Sequence, residues 1–262
     1  MSCFCCWTLL IKLSTVNTAC CTVNMRFTSL SINIHIMDRK SKKYSAHFMM
    51  WLNSYGDLVA IGHETNKVLE LLFSRNDISY VMGNHDEAIL NIMKGKEPGS
   101  VGEEKEHHQW IASQLDKKFI PALSKIPKKL YAEYNGKKLL FVHYHLNEEN
   151  QFIPIDQQPT IKKLDELYKT SDVDVVCFGH HHILHHFRSK ERLYINPGAL
   201  GCYHKPLAPY AILNIGAEGI SVTFKEVAYD NREFLLAYDK LKVPARDFIL
   251  RVFYGNQHLQ FN

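Results

Sequence analysis

Four times along this chain an apolar run ends in a turn that carries histidine, aspartate or asparagine. The pieces are "YGDLV" with Asp57, "YVMGNHDE" with Asn84, His85 and Asp86, "LLFVHYH" with His143 and His145, and "VVCFGHHH" with His180, His181 and His182. Apolar runs of this length between turn residues read as buried strands. Strands whose ends lie at one edge of a sheet converge on a common crevice, where sites are usually built. The pattern therefore asks for a layered sheet structure with its chemistry along one edge.

The segments between these pieces supply helices. "ETNKVLELLFSR" places Val68, Leu71 and Leu72 on one helical face, with Thr65 as N-cap. "DEAILNIM" reads as a helix start, and "QWIASQLDKKF", "TIKKLDELYKT" and "NREFLLAYDKL" as further helices. The polar, glycine-containing stretch from Lys94 to His108 is predicted to be a mobile loop. "KLYAEYNGKKLLFVHYH" predicts a hairpin, with Asn135-Gly136 as a tight type I′ turn. "LYINPG", "YAILNIG" and "ISVTFKEVAY" are three later strands. Strands and helices mix throughout, with no repeat and no linker, which predicts one α/β domain.

Length and composition agree. At 262 residues and 46% hydrophobic content the chain can bury a large core. Its net charge of +4 is dispersed, so no nucleic-acid groove is expected. Five of seven cysteines fall in the first 21 residues, which argues against a secreted disulfide framework. The apolar run from Cys3 to Ile11 is too short to span a bilayer and has no basic region before it. Residues 1–24 are read as an extension outside the fold and residues 25–262 as a single domain, with "MRFTSLSI" as its first strand. No membrane association and a cytoplasmic location are expected; a homo-oligomer is compatible with the sequence.

The 15 histidines are the compositional outlier, and five lie between His180 and His186. The donor set of the four pieces is oxygen and imidazole without thiolate. It suits Mn, Fe, Ni or Zn, and is too nitrogen-rich for Ca or Mg alone. Taken singly, each piece has a plain structural reading as a turn, a helix cap or a core histidine. All four in order point to a metal site.

The chain resembles the calcineurin-like metallophosphoesterases, in their compact single-domain bacterial and archaeal branch. That family's order is D-x-H, G-D, G-N-H-D, a histidine near V-H-G, then G-H-x-H. Here "YGDL", "MGNHDE", "FVHY" and "FGHHH" match the last four, and "YINPGAL" resembles a following Asn-Pro-Gly segment. The match covers roughly Gly56 to Tyr229. Two departures stand out. The best candidate for D-x-H is Asn33-Ile34-His35, an asparagine in place of the aspartate, with Asp38 the nearest acid. Tyr144 stands where the family has glycine.

The resemblance implies a four-layer sandwich of two mixed sheets flanked by helices. It implies two divalent ions about 3.5 Å apart, bridged by Asp57. Asn33, His35 and His182 would complete one site, and Asn84, His143 and His180 the other. A hydroxide bridging the ions would attack a small phosphorylated substrate, a phosphodiester in preference to a monoester. His85 would protonate the leaving oxygen, with Asp86 orienting its imidazole. His204 and Lys205 are candidates for phosphate contact, while His185 and His186 read as surface or loop residues. Because Asn33 removes a negative charge, two other readings stay open. One is a metal-deficient member that binds a phosphorylated ligand or partner; the other is a structural metal-binding protein.

Overall fold

Asn135 and Gly136 both take positive φ, 48° and 71°, as a type I′ turn requires. They join strands β4 (Lys129–Tyr134) and β5 (Lys137–Val142) as an antiparallel pair. This hairpin starts the second of two sheets in a computed structural model of the protein. The structure describes residues 33–38, 49–54, 56–216 and 219–261, with backbone alone for 33–38 and 49–53.

The first sheet has the order β10-β9-β1-β2-β3, with β1 Asn33–Asp38, β2 Met49–Ser54, β3 Ile78–Tyr80, β9 Leu207–Gly216 and β10 Gly219–Ala228. The second has the order β4-β5-β6-β8-β7, with β6 Val175–Cys177, β7 Leu184–Arg188 and β8 Leu193–Pro197. Both sheets are mixed: β1 runs parallel to β9 and β2 to β3, and β5, β6 and β8 run parallel to one another, while the pairs β1–β2, β9–β10, β4–β5 and β7–β8 are antiparallel.

Side-chain alternation along the central strands builds two layers of core. Leu139 and Phe141 of β5, Val175 and Cys177 of β6, and Leu193 and Ile195 of β8 pack with Ala211, Leu213 and Ile215 of β9, between the sheets. Their neighbours Leu140, Val142, Val176 and Tyr194 face the other way, against Leu164 and Tyr168. Strands buried on both faces must be apolar at every position, which is why these runs show no polar alternation. Each buried Leu, Val or Phe contributes about 1.5–3 kcal/mol relative to exposure.

Helices cover the outside. α1 (Thr65–Phe73), α2 (Asn84–Met93), α3 (Gly102–Gln114) and the short α4 (Ile120–Leu123) share a core with Leu58 and Val59. α5 (Ile161–Leu167) begins at Thr160, whose hydroxyl accepts from the Lys163 N–H. α6 (Arg232–Lys240) and α7 (Arg246–Val252) pack over Ile61, Ala199 and Cys202. None of the described helices is long and apolar enough to cross a membrane.

Several expectations need correction. The expected mobile loop is helical from Gly102, because Glu104 and His108 sit four apart on a face turned towards α2, a tertiary contact that polarity cannot reveal. Thr65 does not cap α1; its hydroxyl donates to the Gly62 carbonyl and Glu64 occupies the cap position. The burial stripe of α1 uses Leu69, not Leu71. Asn33 opens β1 where the expected motif would close a strand. Because β1 runs antiparallel to β2, Asn33 pairs with Ser54 and so lies at the edge where β2 ends. The expected strand at Met25 lies outside the described residues.

Candidate metal centre

The turns that follow β2 and β3 pass too close for any side chain between them. A Cβ on Gly83 would lie 2.1 Å from Oδ1 of Asp57, and one on Gly56 would lie 2.5 Å from the Gly83 nitrogen. Gly56 also takes φ 86°, a conformation glycine adopts without steric cost. Asp57 follows in the left-handed region, at φ 51°, which aspartate tolerates better than most residues. This geometry turns the Asp57 carboxylate back over the start of α2, where Oδ1 accepts the His85 backbone N–H at 3.1 Å. A carboxylate here also benefits from the partial positive charge of a helix N-terminus.

The other oxygen of Asp57 faces the second sheet. Parallel strands β5 and β6 end at one edge, and their following residues carry His143 and His180; the Gly179 N–H donates to the His143 carbonyl and ties the two turns together. His143 Nε2 lies 3.2 Å from Asp57 Oδ2, 2.8 Å from Asn84 Oδ1 and 3.1 Å from His180 Nδ1. Asp57 and His143 are buried, at 3% and 0% exposure. Three electron-rich atoms surround one imidazole nitrogen, which has at most one proton to share among them.

Burial dominates the electrostatics. It pushes the Asp57 carboxyl up to about 8, offset in part by the His85 N–H. Burial and the neighbouring Asp57 carboxylate push Asp86 up to about 7. Burial, then His143 and His181, push His180 down to about 3, so its imidazole is neutral at physiological pH. A cation among these groups would favour the carboxylate and use the imidazole lone pairs.

A profile of the calcineurin-like phosphoesterase superfamily domain matches residues 33–218. The chain belongs to that superfamily. Two solved structures share the phosphoesterase fold. A hypothetical protein from Pyrococcus horikoshii is 13% identical with a TM-score of 0.61, covering 86% of this chain and 98% of that one. A metallophosphoesterase from Sphaerobacter thermophilus is 19% identical with a TM-score of 0.56, covering 86% and 99%. No curated protein matches.

The phosphoesterase fold implies divalent ions, and the donors present fit one. Asp57, His143 and His180 offer ligand atoms within 4.8 Å of one another, with Asn84 Oδ1 beside them. Of the residues expected at a second ion, the side chains of Asn33 and His35 are not described. His182 is half-buried near His180 and His143, its imidazole pushed down to about 3 by desolvation. It lines a cavity of about 450 Å³ with Leu184, Pro197, Tyr203, Phe224 and Lys225.

The turn at His180 is not extended. His180 and His182 both take positive φ, 70° and 56°, so strand alternation does not decide where His181 points. His181 Nδ1 lies 2.7 Å from His185 Nε2, and its ring stacks on Tyr144. His185 belongs to β7 and is 9% exposed, stacked against Phe178 and Phe187, so it is a core residue and not a loop residue. His186, on the opposite face of β7, is exposed. His145 is buried, with its Nδ1 2.8 Å from the Tyr168 hydroxyl oxygen. Tyr144 lies beside the His180 ring, 4.9 Å between centroids, and its hydroxyl accepts the Asp156 N–H. His204 and Lys205 are exposed, with His204 against Tyr203 and Gly255.

Asp86 does not orient His85 by hydrogen bonding. Its two oxygens accept from the Val59 and Gly83 N–H groups, at 3.0 and 2.9 Å. Asp86 thereby ties the Asp57 turn to α2. The group on His85 Nδ1 is His108 Nε2, at 2.7 Å, with Ser100 Oγ on the far nitrogen of His108 at 2.8 Å. Sequence reasoning missed His108 because it sits in the stretch read as a loop. It also gave no role to Asn196, which is fully buried. Asn196 donates to the Gly179 carbonyl and accepts from the Gly198 N–H, holding the turn that carries His180. The Asn-Pro-Gly segment was the available signal.

Proposed function

We propose that this chain is a divalent-cation-dependent phosphoester hydrolase that favours phosphodiesters. The observation that supports it is the convergence of Asp57, Asn84 and His180 on one nitrogen of His143, at the edge where strands from both sheets end. Asp57, Asn84, His143 and His180 would hold one ion; His182, His35 and Asn33 are the candidates for a second. Bound Mn, Fe, Ni or Zn would supply positive charge against the phosphoryl oxygens and lower the pKa of water at the site.

The protein's own groups position and move protons. The helix α2 N-terminus and the Asp86 link fix Asp57. His85 is buried and neutral, its pKa held well below the usual imidazole range by burial and then by neighbouring histidines. In the tautomer where Ser100 donates to His108 and His108 donates to His85 Nδ1, the proton of His85 sits on Nε2. That tautomer donates a hydrogen bond to a leaving-group oxygen. The cavity beside His182 has the apolar walls Leu184, Pro197 and Phe224, while the opposite charges of Lys225 and Glu226 offset each other. Such a pocket suits the uncharged second substituent of a diester better than the extra charge of a monoester.

Asn33 in place of a carboxylate would make the second ion the weaker one. With added Mn²⁺, the purified chain should hydrolyse an aryl phosphodiester faster than the matching monoester, and Asn33→Asp should raise the rate at limiting metal. Tight binding of a phosphate ester without turnover would favour the metal-deficient binding protein instead.

A further inference from the structure

His85, Glu104 and His108 form a second cluster of donor atoms, separate from the one around His143. His85 stands in the first turn of α2. Glu104 and His108 lie four residues apart on α3, so both project from one helical face towards it. His85 Nδ1 is 2.7 Å from His108 Nε2 and 3.9 Å from Glu104 Oε1, and the three atoms lie within 4.8 Å of one another. The imidazoles are buried, at 5% and 1% exposure, while the Glu104 side chain is 38% exposed.

We propose that His85, His108 and Glu104 form an additional cation site, for a borderline divalent ion of the zinc class. Two imidazoles and one carboxylate are an established donor set for tetrahedral zinc with one open position. Ligand bonds of 2.0–2.1 Å put tetrahedral donor atoms about 3.3 Å apart. The observed separations of 2.7 and 3.9 Å bracket that value, so small side-chain rotations convert the hydrogen-bonded cluster into a bound one. Ser100 supplies the outer support such sites use: its hydroxyl sits 2.8 Å from His108 Nδ1. A hydroxyl can donate or accept, so it serves both arrangements. The Glu104 carboxylate offsets part of the ion's charge, and its exposed face gives solvent and ion a way in. The ion would grip the imidazole assigned above as leaving-group donor, which links occupancy of this site to turnover. The site itself does not depend on that assignment.

Chelator-stripped full-length protein titrated with Zn²⁺ by calorimetry, with elemental analysis after desalting, tests the site without any substrate. Glu104→Gln and His108→Ala should each bind one zinc fewer than the starting protein, whereas Asp57→Asn should keep that zinc. Ser100→Ala should keep the site and weaken it about 10–100-fold. Glu104 is half-exposed, so Glu104→Gln preserves the fold even if His108→Ala does not, and a melting curve checks this. Equal zinc counts and affinities for Glu104→Gln and the starting protein would overturn the proposal. Loss of zinc in Asp57→Asn alone would speak for the centre at His143 and against this one.

Discussion

The two donor clusters flank the same helix end and are built in opposite ways. The first gathers Asp57, Asn84, His143 and His180 from the ends of β2, β3, β5 and β6, a set that spans residues 57–180 of the chain. The second takes two of its three members from one helix, four residues apart, and the third from the first turn of α2. In the first cluster a buried carboxylate dominates and its pKa rises; in the second, buried imidazoles dominate and their pKa values fall. Strand ends bring distant parts of the chain together because parallel strands share a polarity. A helix brings only its own near neighbours and needs a partner surface to complete a site.

The largest effect expected from this contrast concerns His85, which belongs to both clusters. Its main-chain N–H supports Asp57 and its side chain points to His108. His85→Ala keeps the main-chain contact and removes the imidazole. It should lower kcat by about 10²–10⁴-fold, as loss of a general acid does, while the Mn²⁺ content of the protein stays unchanged. Loss of Mn²⁺ in this variant would mean that the side chain belongs to the metal centre and the two clusters are one.

A smaller effect separates the clusters by pH, in metal-free protein. Asp57, with a folded pKa of about 8, holds its proton while the unfolded chain has already released it. Its contribution to stability is present below the unfolded value near 4 and is lost as pH rises through 8. His108 works in the opposite sense. With a folded pKa pushed down to about 4, it resists protonation that the unfolded chain accepts near 6.5, so stability is lost as pH falls through that window. Thermal midpoints between pH 5 and pH 8 should therefore show Asp57→Asn gaining on the starting protein at the alkaline end and His108→Gln gaining at the acid end. Parallel pH profiles for all three proteins would remove the distinction.

What could be read in the sequence follows the same division. The pieces around Asp57, Asn84, His143 and His180 were legible because each apolar strand stops at a glycine or histidine that punctuates it. The Asn135-Gly136 turn was legible because its residue types dictate its backbone angles. The helix that carries Glu104 and His108 was not, since its polar composition and nearby glycines match a loop, and its burial depends on α2. Asp86 was misassigned for a related reason. Its place beside His85 in sequence suggested a side-chain pair, but at the third position of a helix a carboxylate reaches back to main-chain N–H groups. The location of Asn33 at the edge where β2 ends depends on β1 running antiparallel to β2, a pairing that local pattern does not encode.

Asp57, Asn84, His143 and His180 are proposed above to form a cation-dependent hydrolytic centre. Its most direct test is the rate of aryl phosphodiester hydrolysis by chelator-stripped protein across a Mn²⁺ titration, alongside Asp57→Asn. Turnover should appear only as Mn²⁺ is restored, and Asp57→Asn should lower it by at least about 10³-fold at any Mn²⁺ concentration, roughly 4 kcal/mol of transition-state stabilisation. Turnover without metal, or an Asp57→Asn protein as active as the starting one, would contradict it.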